Sequence, residues 1–169
     1  ESYEINEDGL EYVFKIRNDA YWSNGNKITP EDIVLFFREV ITEDNEISAL
    51  LNVYGVKDYL ESDKSVSEAV AITSDENSIK IRLNSKDDGF IEELTKPQYR
   101  VRKGVLLWED IALNYKDIPY SGDYCINSIS ETEIILKRSD EASVELAQTI
   151  HLVKDESEDL ALAAFEIGN

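Results

Sequence analysis

The sequence predicts an α+β fold in which a mixed or antiparallel sheet is combined with short helices. Apolar side chains alternate with charged ones around residues 12–16 and again around residues 79–83, which is the period of a strand with one buried face. Between these strands, Pro30 opens a segment whose apolar residues recur at helical spacing. A chain of 169 residues is long enough to bury a sizeable core, as one domain or as a compact domain with a smaller lobe.

The first predicted strand is followed by a tight turn. Tyr12, Phe14 and Ile16 form an aromatic and aliphatic row on one face of the strand. Residues 23–26 read Ser-Asn-Gly-Asn, and asparagine and glycine tolerate the left-handed backbone conformations that a reversal requires. We expect Trp22, directly before the turn, to cover the core, because large aromatic side chains serve mostly to bury area.

A helix is predicted from Pro30. Proline suits the first helical position because its missing N–H would have no partner there, and Asp32 lies three residues after Thr29 in the capping-box position. The apolar stripe of this helix consists of Ile33, Val34, Phe36, Phe37, Val40 and Ile41. We expect the stripe to pack against the core.

The remaining pattern predicts two further hairpin-like pairs. Apolar residues at 70–72 and 79–83 flank the polar residues 74–78, and residues 124–129 and 133–139 flank a second short loop. Another strand is predicted at residues 149–153. Helices are predicted at residues 57–61, 90–95, 105–115 and 157–165.

Composition and charge exclude several classes of partner. The chain has 36 acidic and 17 basic residues, a net charge of −19, so nucleic acid and anionic lipid would be repelled. The single Cys125 cannot form an internal disulfide, and the single His151 removes any two-histidine metal site, so no metal or cofactor is predicted. We expect Cys125 to be a small buried residue and His151 to be structural. The sequence has no apolar run long enough to cross a bilayer.

The segment that joins the first strand to the first helix resembles the signature of a known family. Residues 8–17, 22–25 and 28–33 read DGLEYVFKIR, WSNG and ITPEDI. They are similar to the D-G-L-x-Y-x-F-x-L-R, W-S-D-G and F-T-A-E-D-V segments of the extracellular solute-binding proteins of family 5, which are receptors for oligopeptides, dipeptides and nickel in ABC importers. Residues 118–126 resemble the family's P-x-G-T-G-P-Y-x-I loop, but Asp123 replaces its proline and Ser121 its threonine.

This resemblance implies a lobe fragment of a periplasmic-binding-protein-like receptor, from its amino-terminal region. Residues 1–118 are expected to form the accessory lobe, and residues 119–169 part of the first ligand-binding lobe. The implied receptor captures peptides or a similar small solute in the periplasm or at the extracellular face of the membrane, free or as a lipoprotein, and delivers it to the ABC permease subunits. Tyr54 and Tyr120, which lie beside glycine-bearing loops, are the residues expected to face the ligand cleft, with core packing as the alternative for each.

Two other classes of function stay open on the residues alone. A stand-alone interaction module would recruit another strand through exposed hairpin edges. A carboxylate-dependent hydrolase would need two acids held in different environments, but no pair stands out, and the sequence has neither a phosphate-binding glycine loop nor a nucleophile elbow. The chain is therefore expected not to be an enzyme, and no catalytic residue is predicted.

Overall fold

Two antiparallel sheets organise the chain. The computed structural model describes residues 2–43, 47–62, 65–140, 142–154 and 157. The first sheet has the spatial order β1-β2-β4-β3 and the second the order β5-β6-β7. The strands are β1 (Ser2–Ile5), β2 (Glu11–Lys15), β3 (Ile72–Asp75), β4 (Ser78–Arg82), β5 (Tyr124–Ile129), β6 (Glu133–Arg138) and β7 (Thr149–Val153).

Short helices connect these strands, which confirms the predicted α+β class. The helices are α1 (Pro30–Glu43), α2 (Val56–Leu60), α3 (Val66–Ala69), α4 (Phe90–Leu94) and α5 (Ile111–Asn114). Single 3-10 turns occur at Leu50–Asn52, Pro97–Tyr99 and Val105–Trp108. In the described part of the chain, no helix combines the length and the apolar character needed to cross a membrane.

The core lies between α1 and one face of the first sheet. Tyr12 pairs with Ile81, and Phe14 with Ile79, so the apolar residues of β2 and β4 lie on the same face. The predicted apolar stripe of α1 packs into the same cluster, as expected, and its residues Phe36, Phe37 and Val40 are buried there. This face and this helix therefore form the centre of the core, and buried residues from the connecting segments, such as Leu50 and Phe90, pack around them.

The predicted start of α1 is confirmed by its cap. The Asp32 N–H donates to Thr29 Oγ1 at 3.2 Å, and the Thr29 N–H donates to the Asp32 carboxylate at 3.0 Å. These two bonds form a reciprocal capping box and give partners to two backbone N–H groups at the helix start.

The strand β1 was not predicted. It pairs with β2 in a first hairpin, whose turn holds Gly9 at a φ of +74° and lets the Asn6 side chain accept the N–H groups of Leu10 and Glu11. Its apolar residues Tyr3 and Ile5 do alternate, but four residues give too short a pattern to separate a strand from a loop.

Two other expectations need correction. The single helix predicted over residues 105–115 is wrong, because Asp110 has non-helical dihedrals (φ −124°, ψ 67°) and divides the segment into a 3-10 turn and α5. The loop predicted at 74–78 is shorter, because β3 continues to Asp75 and β4 begins at Ser78. The helix predicted over residues 157–165 lies, apart from Ser157, outside the described residues.

Candidate functional site

Two loops from different halves of the chain are joined by hydrogen bonds. The Ser23 N–H donates to the Tyr120 carbonyl at 2.7 Å, and the Tyr120 N–H donates to Ser23 Oγ at 2.9 Å. These reciprocal bonds join the predicted turn at 23–26 to the loop that precedes β5. We call this contact the loop junction.

The turn side of the loop junction is held by backbone geometry. Gly25 has a φ of +80°, which is the left-handed conformation expected for a glycine in this reversal. The Gly25 N–H donates to the Trp22 carbonyl at 2.9 Å, and the Trp22 N–H donates to the Asn26 carbonyl at 2.8 Å. Residues 23–26 therefore form the tight turn that was predicted.

Trp22 is fully buried, as expected for a residue that covers the core. Its Nε1–H donates to Asp32 Oδ2 at 3.2 Å, while Lys103 Nζ donates to Asp32 Oδ1 at 2.9 Å and lies 5.8 Å from the Trp22 ring centroid. Burial raises the pKa of Asp32, but hydrogen bonds from Thr29, Lys103 and Trp22 outweigh burial and lower the pKa below its ordinary value. Sequence reasoning missed Lys103, because no local pattern connects it to Asp32.

A polar cavity of about 490 Å³ opens beside the loop junction, and we call it the junction pocket. Its walls include Tyr21, Ser23, Asn24, Ser121, Asp123, Ser139 and Asp140. The Ser139 N–H donates to the Asp123 carbonyl at 2.8 Å, which ties the end of β6 to the loop before β5. Hydroxyl, amide and carboxylate groups of this kind can hydrogen-bond a polar solute.

Tyr120 precedes Ser121 of the junction pocket, does not itself line the pocket, and is only 9% exposed. Its hydroxyl donates to the Tyr115 carbonyl at 2.8 Å, and its ring meets Trp108 edge-on at 5.6 Å between centroids. Burial raises the pKa of the Tyr120 phenol above its ordinary value. The structure thus gives Tyr120 a packing role, and its contact with a solute stays a prediction.

Tyr54 lies elsewhere, beside the end of β4, and is 53% exposed. Its N–H donates to the Arg82 carbonyl at 2.8 Å, and its carbonyl accepts the Ala71 N–H at 2.9 Å. The Arg82 guanidinium carbon lies 5.6 Å from the centre of the Tyr54 ring. The structure therefore does not place Tyr54 and Tyr120 in one site, and Tyr54 is held by its backbone with its ring presented to solvent.

Gly55, directly after Tyr54, lets the backbone here pack closely against the backbone of Ala69. Its φ is +84°, and a Cβ at this position would lie 1.8 Å from the Ala69 carbonyl oxygen. Only glycine allows the two backbone segments to approach in this way. In the sequence, Gly55 indicates a turn. The sequence does not indicate that this turn packs against Ala69, because the two residues are 14 positions apart.

The other residues considered from the sequence have structural partners. His151 Nδ1 lies 2.6 Å from Glu133 Oε1 across the β6–β7 pair. Cys125 is half-buried, and its Sγ lies 3.3 Å from Ser139 Oγ. Among the described residues, no three histidine, cysteine, aspartate or glutamate side chains come together in a way that could hold a metal ion.

Comparison with solved structures shows which fold the chain adopts. A periplasmic oligopeptide-binding protein (OppAIV) from Borrelia burgdorferi matches with a TM-score of 0.83 at 18% identity, over 98% of this chain and 35% of that chain. The Haemophilus influenzae OppA complex with the peptide RPPGFSPFR matches with a TM-score of 0.82 at 20% identity, over 99% of this chain and 35% of that chain. The chain therefore has the fold of a lobe of these binding proteins and spans little more than a third of their length.

Sequence comparison shows to which proteins the chain is related. The chain is 27% identical over 92 residues to the oligopeptide-binding protein OppA of Bacillus subtilis (strain 168), which is 53% of this chain and 17% of that protein. The family model described as "Bacterial extracellular solute-binding proteins, family 5 Middle" matches residues 1–158. Because this match includes nearly the whole chain, the chain belongs to the bacterial extracellular solute-binding proteins of family 5.

Proposed function

We propose that this chain is part of the solute-binding component of an ABC importer, which captures peptides or a similar small solute outside the cell membrane. The observation that carries the proposal is the family match over residues 1–158. A relative in Bacillus subtilis is an oligopeptide-binding protein, which favours peptides as the solute. The permease subunits of the importer are then the partners that receive the solute, and the periplasm or the extracellular face, with or without a lipid anchor, is the location.

We also infer that residues 1–118 form the accessory lobe and that residues 119–169 form part of the first ligand-binding lobe. The separation of the two sheets supports this division. The core cluster draws its buried residues from Tyr12 to Tyr99 and includes none from β5, β6 or β7. The loop junction, through Ser23 and Tyr120, is then a contact between the two lobes.

Tyr54 is the residue that we propose as a solute contact at the edge of the accessory lobe. Its ring is exposed, its backbone is bound on both sides, and the Arg82 guanidinium lies over the ring. An exposed aromatic ring that is already ordered loses little conformational entropy when it packs against a solute. Next to it, a guanidinium can bind a peptide carboxylate.

The test is peptide binding by the full-length receptor that the parent gene encodes. A thermal-shift screen against a peptide library should find stabilising peptides, and calorimetry should then measure their affinity. Tyr54→Ala should weaken binding by about tenfold, since an exposed aromatic contact is typically a 1–2 kcal/mol effect. Tyr3→Ala is the matched control, because Tyr3 is a half-exposed tyrosine on β1. A receptor that binds no peptide or related solute would contradict the proposed function, while equal affinities for both variants would contradict only the role of Tyr54.

We infer that the chain carries no catalytic activity, because it belongs to a family of solute-binding proteins. A carboxylic general acid requires a raised pKa. A hydrogen bond from Lys15 lowers the pKa of Glu4, a hydrogen bond from Arg17 lowers that of Asp19, and the pKa of Asp32 is also lowered. Incubation with the bound peptide should leave the peptide intact in mass spectrometry. Cleavage of the peptide by the purified receptor would overturn this inference.

A further inference from the structure

A second pocket, of about 370 Å³, lies beside the core of the first sheet, and we call it the apolar pocket. Ten of its twelve lining residues are apolar. Its floor consists of five buried residues, which are Ile16, Ile28, Phe37, Ile79 and Ile81. Its rim is half-buried and includes Phe14, Ile33, Leu94 and Val101. The pocket therefore presents an almost continuous hydrocarbon surface.

The two remaining lining residues are Lys15 and Arg17. Lys15 follows Phe14 in β2, so the two side chains point to opposite faces of the sheet. The Lys15 Nζ donates to Glu4 Oε1 at 2.7 Å on that opposite face. Lys15 therefore lines the apolar pocket without directing its ammonium group into it.

The apolar pocket suits a hydrocarbon chain better than a peptide backbone. Protein interiors are close-packed, and recesses much larger than a water molecule are few. A hydrocarbon chain gains free energy from each CH₂ group that leaves water in such a recess. A peptide would bring N–H and C=O groups, which cost free energy when they are buried without hydrogen-bond partners.

The apolar pocket adjoins the junction pocket. Arg17 and Ala20 line both of them. The Ile28 N–H donates to the Ala20 carbonyl at 2.9 Å, which fixes the wall that the two pockets share. The side chain of Ala20 is small, so a hydrocarbon chain and a polar group a few bonds apart can occupy the two pockets together.

The charges of the junction pocket favour a cation. Its walls carry the carboxylates of Asp19, Asp123 and Asp140 against the single guanidinium of Arg17. Arg17 Nε and Nη2 donate to the Asp19 carboxylate at 2.9 and 3.2 Å, so these two charges largely offset each other. In the part of the chain that the structure describes, Asp123 and Asp140 have no basic partner. The net charge of −19 adds a field that attracts cations.

We propose that the two pockets form one site for a small amphiphilic cation, a primary alkylamine with a short hydrocarbon chain. The hydrocarbon chain occupies the apolar pocket. The ammonium group, which has three N–H donors, lies in the junction pocket near Asp123 and Asp140. This site is distinct from the proposed solute contact at Tyr54, and the proposal does not depend on the solute that the receptor transports.

The first test is calorimetry of the full-length receptor with a series of amines. Butyl-, hexyl- and octylammonium should bind with an affinity that rises by up to about fourfold for each added CH₂ group, because each one is buried in the apolar pocket. Octanoate has almost the same length but the opposite charge, and it should bind about tenfold more weakly than octylammonium. Equal affinity for butyl- and octylammonium, or for octanoate and octylammonium, would overturn the proposal.

The second test removes the carboxylates. The double variant Asp123→Asn, Asp140→Asn should weaken octylammonium binding by about tenfold, since each carboxylate contributes a partly exposed ion pair. The matched control is Asp58→Asn, Glu61→Gln, which changes the net charge equally but alters exposed residues that line neither pocket. Equal weakening in both double variants would show that only the overall charge matters and would overturn the proposal.

The third test addresses the apolar pocket. Ile33→Asn places an amide at its rim and should weaken octylammonium binding by about tenfold, because the amide loses hydrogen bonds to water when the chain covers it. Leu35→Asn makes the same change at an exposed position of α1 and should leave the affinity unchanged. Unchanged affinity in a folded Ile33→Asn variant would overturn the proposal. If Ile33→Asn does not fold, the amine series and the carboxylate variants, which alter only exposed residues, decide the question.

A competition experiment separates this site from the solute site. A saturating peptide should leave the affinity for octylammonium unchanged, and Tyr54→Ala should do the same. Displacement of the amine by peptide, together with weaker amine binding in Tyr54→Ala, would locate the amine in the solute site and overturn the proposal. A receptor that binds octylammonium as expected but binds no peptide would contradict the proposed function and not this site.

Discussion

Asp32 connects three parts of the chain through a single carboxylate. It accepts hydrogen bonds from the Thr29 backbone at the start of α1, from the buried indole of Trp22 and from Lys103. These bonds favour the charged carboxylate, which is why its pKa is lowered in spite of burial.

We expect Asp32→Asn to lower the free energy of unfolding at neutral pH by about 1 kcal/mol, because it weakens the cap and removes the ion pair with Lys103. A carboxylate whose folded pKa is depressed stabilises the protein above the unfolded pKa of about 3.9, and this contribution is lost as the pH falls through the lower folded pKa. Urea titrations of both proteins between neutral pH and pH 3 measure the effect. The difference between them should shrink below about pH 4, and a constant difference would show that the carboxylate charge has no role.

Replacing a glycine can cost stability through backbone strain and through a steric clash, and Gly25 and Gly55 differ in the second of these. Both have a left-handed φ, but a Cβ at Gly55 would collide with the Ala69 backbone, whereas no heavy atom lies within 4 Å of a Cβ at Gly25. Gly25→Ala should cost about 1–2 kcal/mol from the dihedral alone. Gly55→Ala should cost about 2–5 kcal/mol, since the collision adds to the dihedral cost. Chemical denaturation of the two variants tests this order, and a similar loss in both would mean that the segment beside Ala69 moves freely.

At the scale of the element, α1 supplies the largest apolar contribution to the core. Phe36 is only 1% exposed and packs against Phe37 at 5.3 Å between ring centroids. Its neighbour Leu35 is 47% exposed on the other side of the same helix.

Phe36→Ala should lower the free energy of unfolding by about 3–5 kcal/mol, because it removes a buried ring and leaves a cavity. Leu35→Ala is the matched control and should change stability by less than about 0.5 kcal/mol. Thermal and urea denaturation compare the two variants. An unchanged melting temperature for Phe36→Ala would mean that this side of α1 does not pack on the sheet.

At the scale of the whole molecule, the net charge of −19 opposes folding through self-repulsion. The described ion pairs such as Lys15–Glu4 and Lys96–Glu93 are exposed and contribute little to stability. Raising NaCl from about 20 to about 200 mM should therefore increase the melting temperature by a few degrees, because salt screens repulsion between exposed charges. KCl at the same concentrations should raise the melting temperature by a similar amount, because screening depends on ionic strength. A fall in melting temperature would show that attractive pairs outweigh the repulsion.

Much of the fold could be predicted because it depends on patterns of residues that are close in sequence. Alternation at Tyr12, Phe14 and Ile16 indicates one face of β2, and the Thr29, Pro30 and Asp32 pattern indicates the start of α1, since both depend on residues close in sequence. The failures also have local causes. β1 is too short for its pattern to be significant, and Asp110 interrupts a helical spacing that extends on both sides of it.

The candidate site was less predictable, because its contacts join distant residues. Lys103 reaches Asp32 across 71 positions, and Tyr120 reaches Ser23 across 97. The sequence suggested that Tyr54 and Tyr120 are similar, as aromatic residues beside glycine-bearing loops. In the structure Tyr54 is exposed and Tyr120 is buried, because Tyr120 packs against Trp108 and takes part in the loop junction.

The sequence by itself determined six of the seven described strands, the tight turn at 23–26, the capped start of α1 and the family, because each depends on the order and spacing of neighbouring residues. Only the tertiary structure decided which apolar surfaces are covered, because burial depends on elements that meet from distant parts of the chain. The sequence predicts apolar strands in both halves of the chain. The structure shows that α1 packs on the first sheet, whereas in the described part of the chain the residues of β5, β6 and β7 are half-buried or exposed.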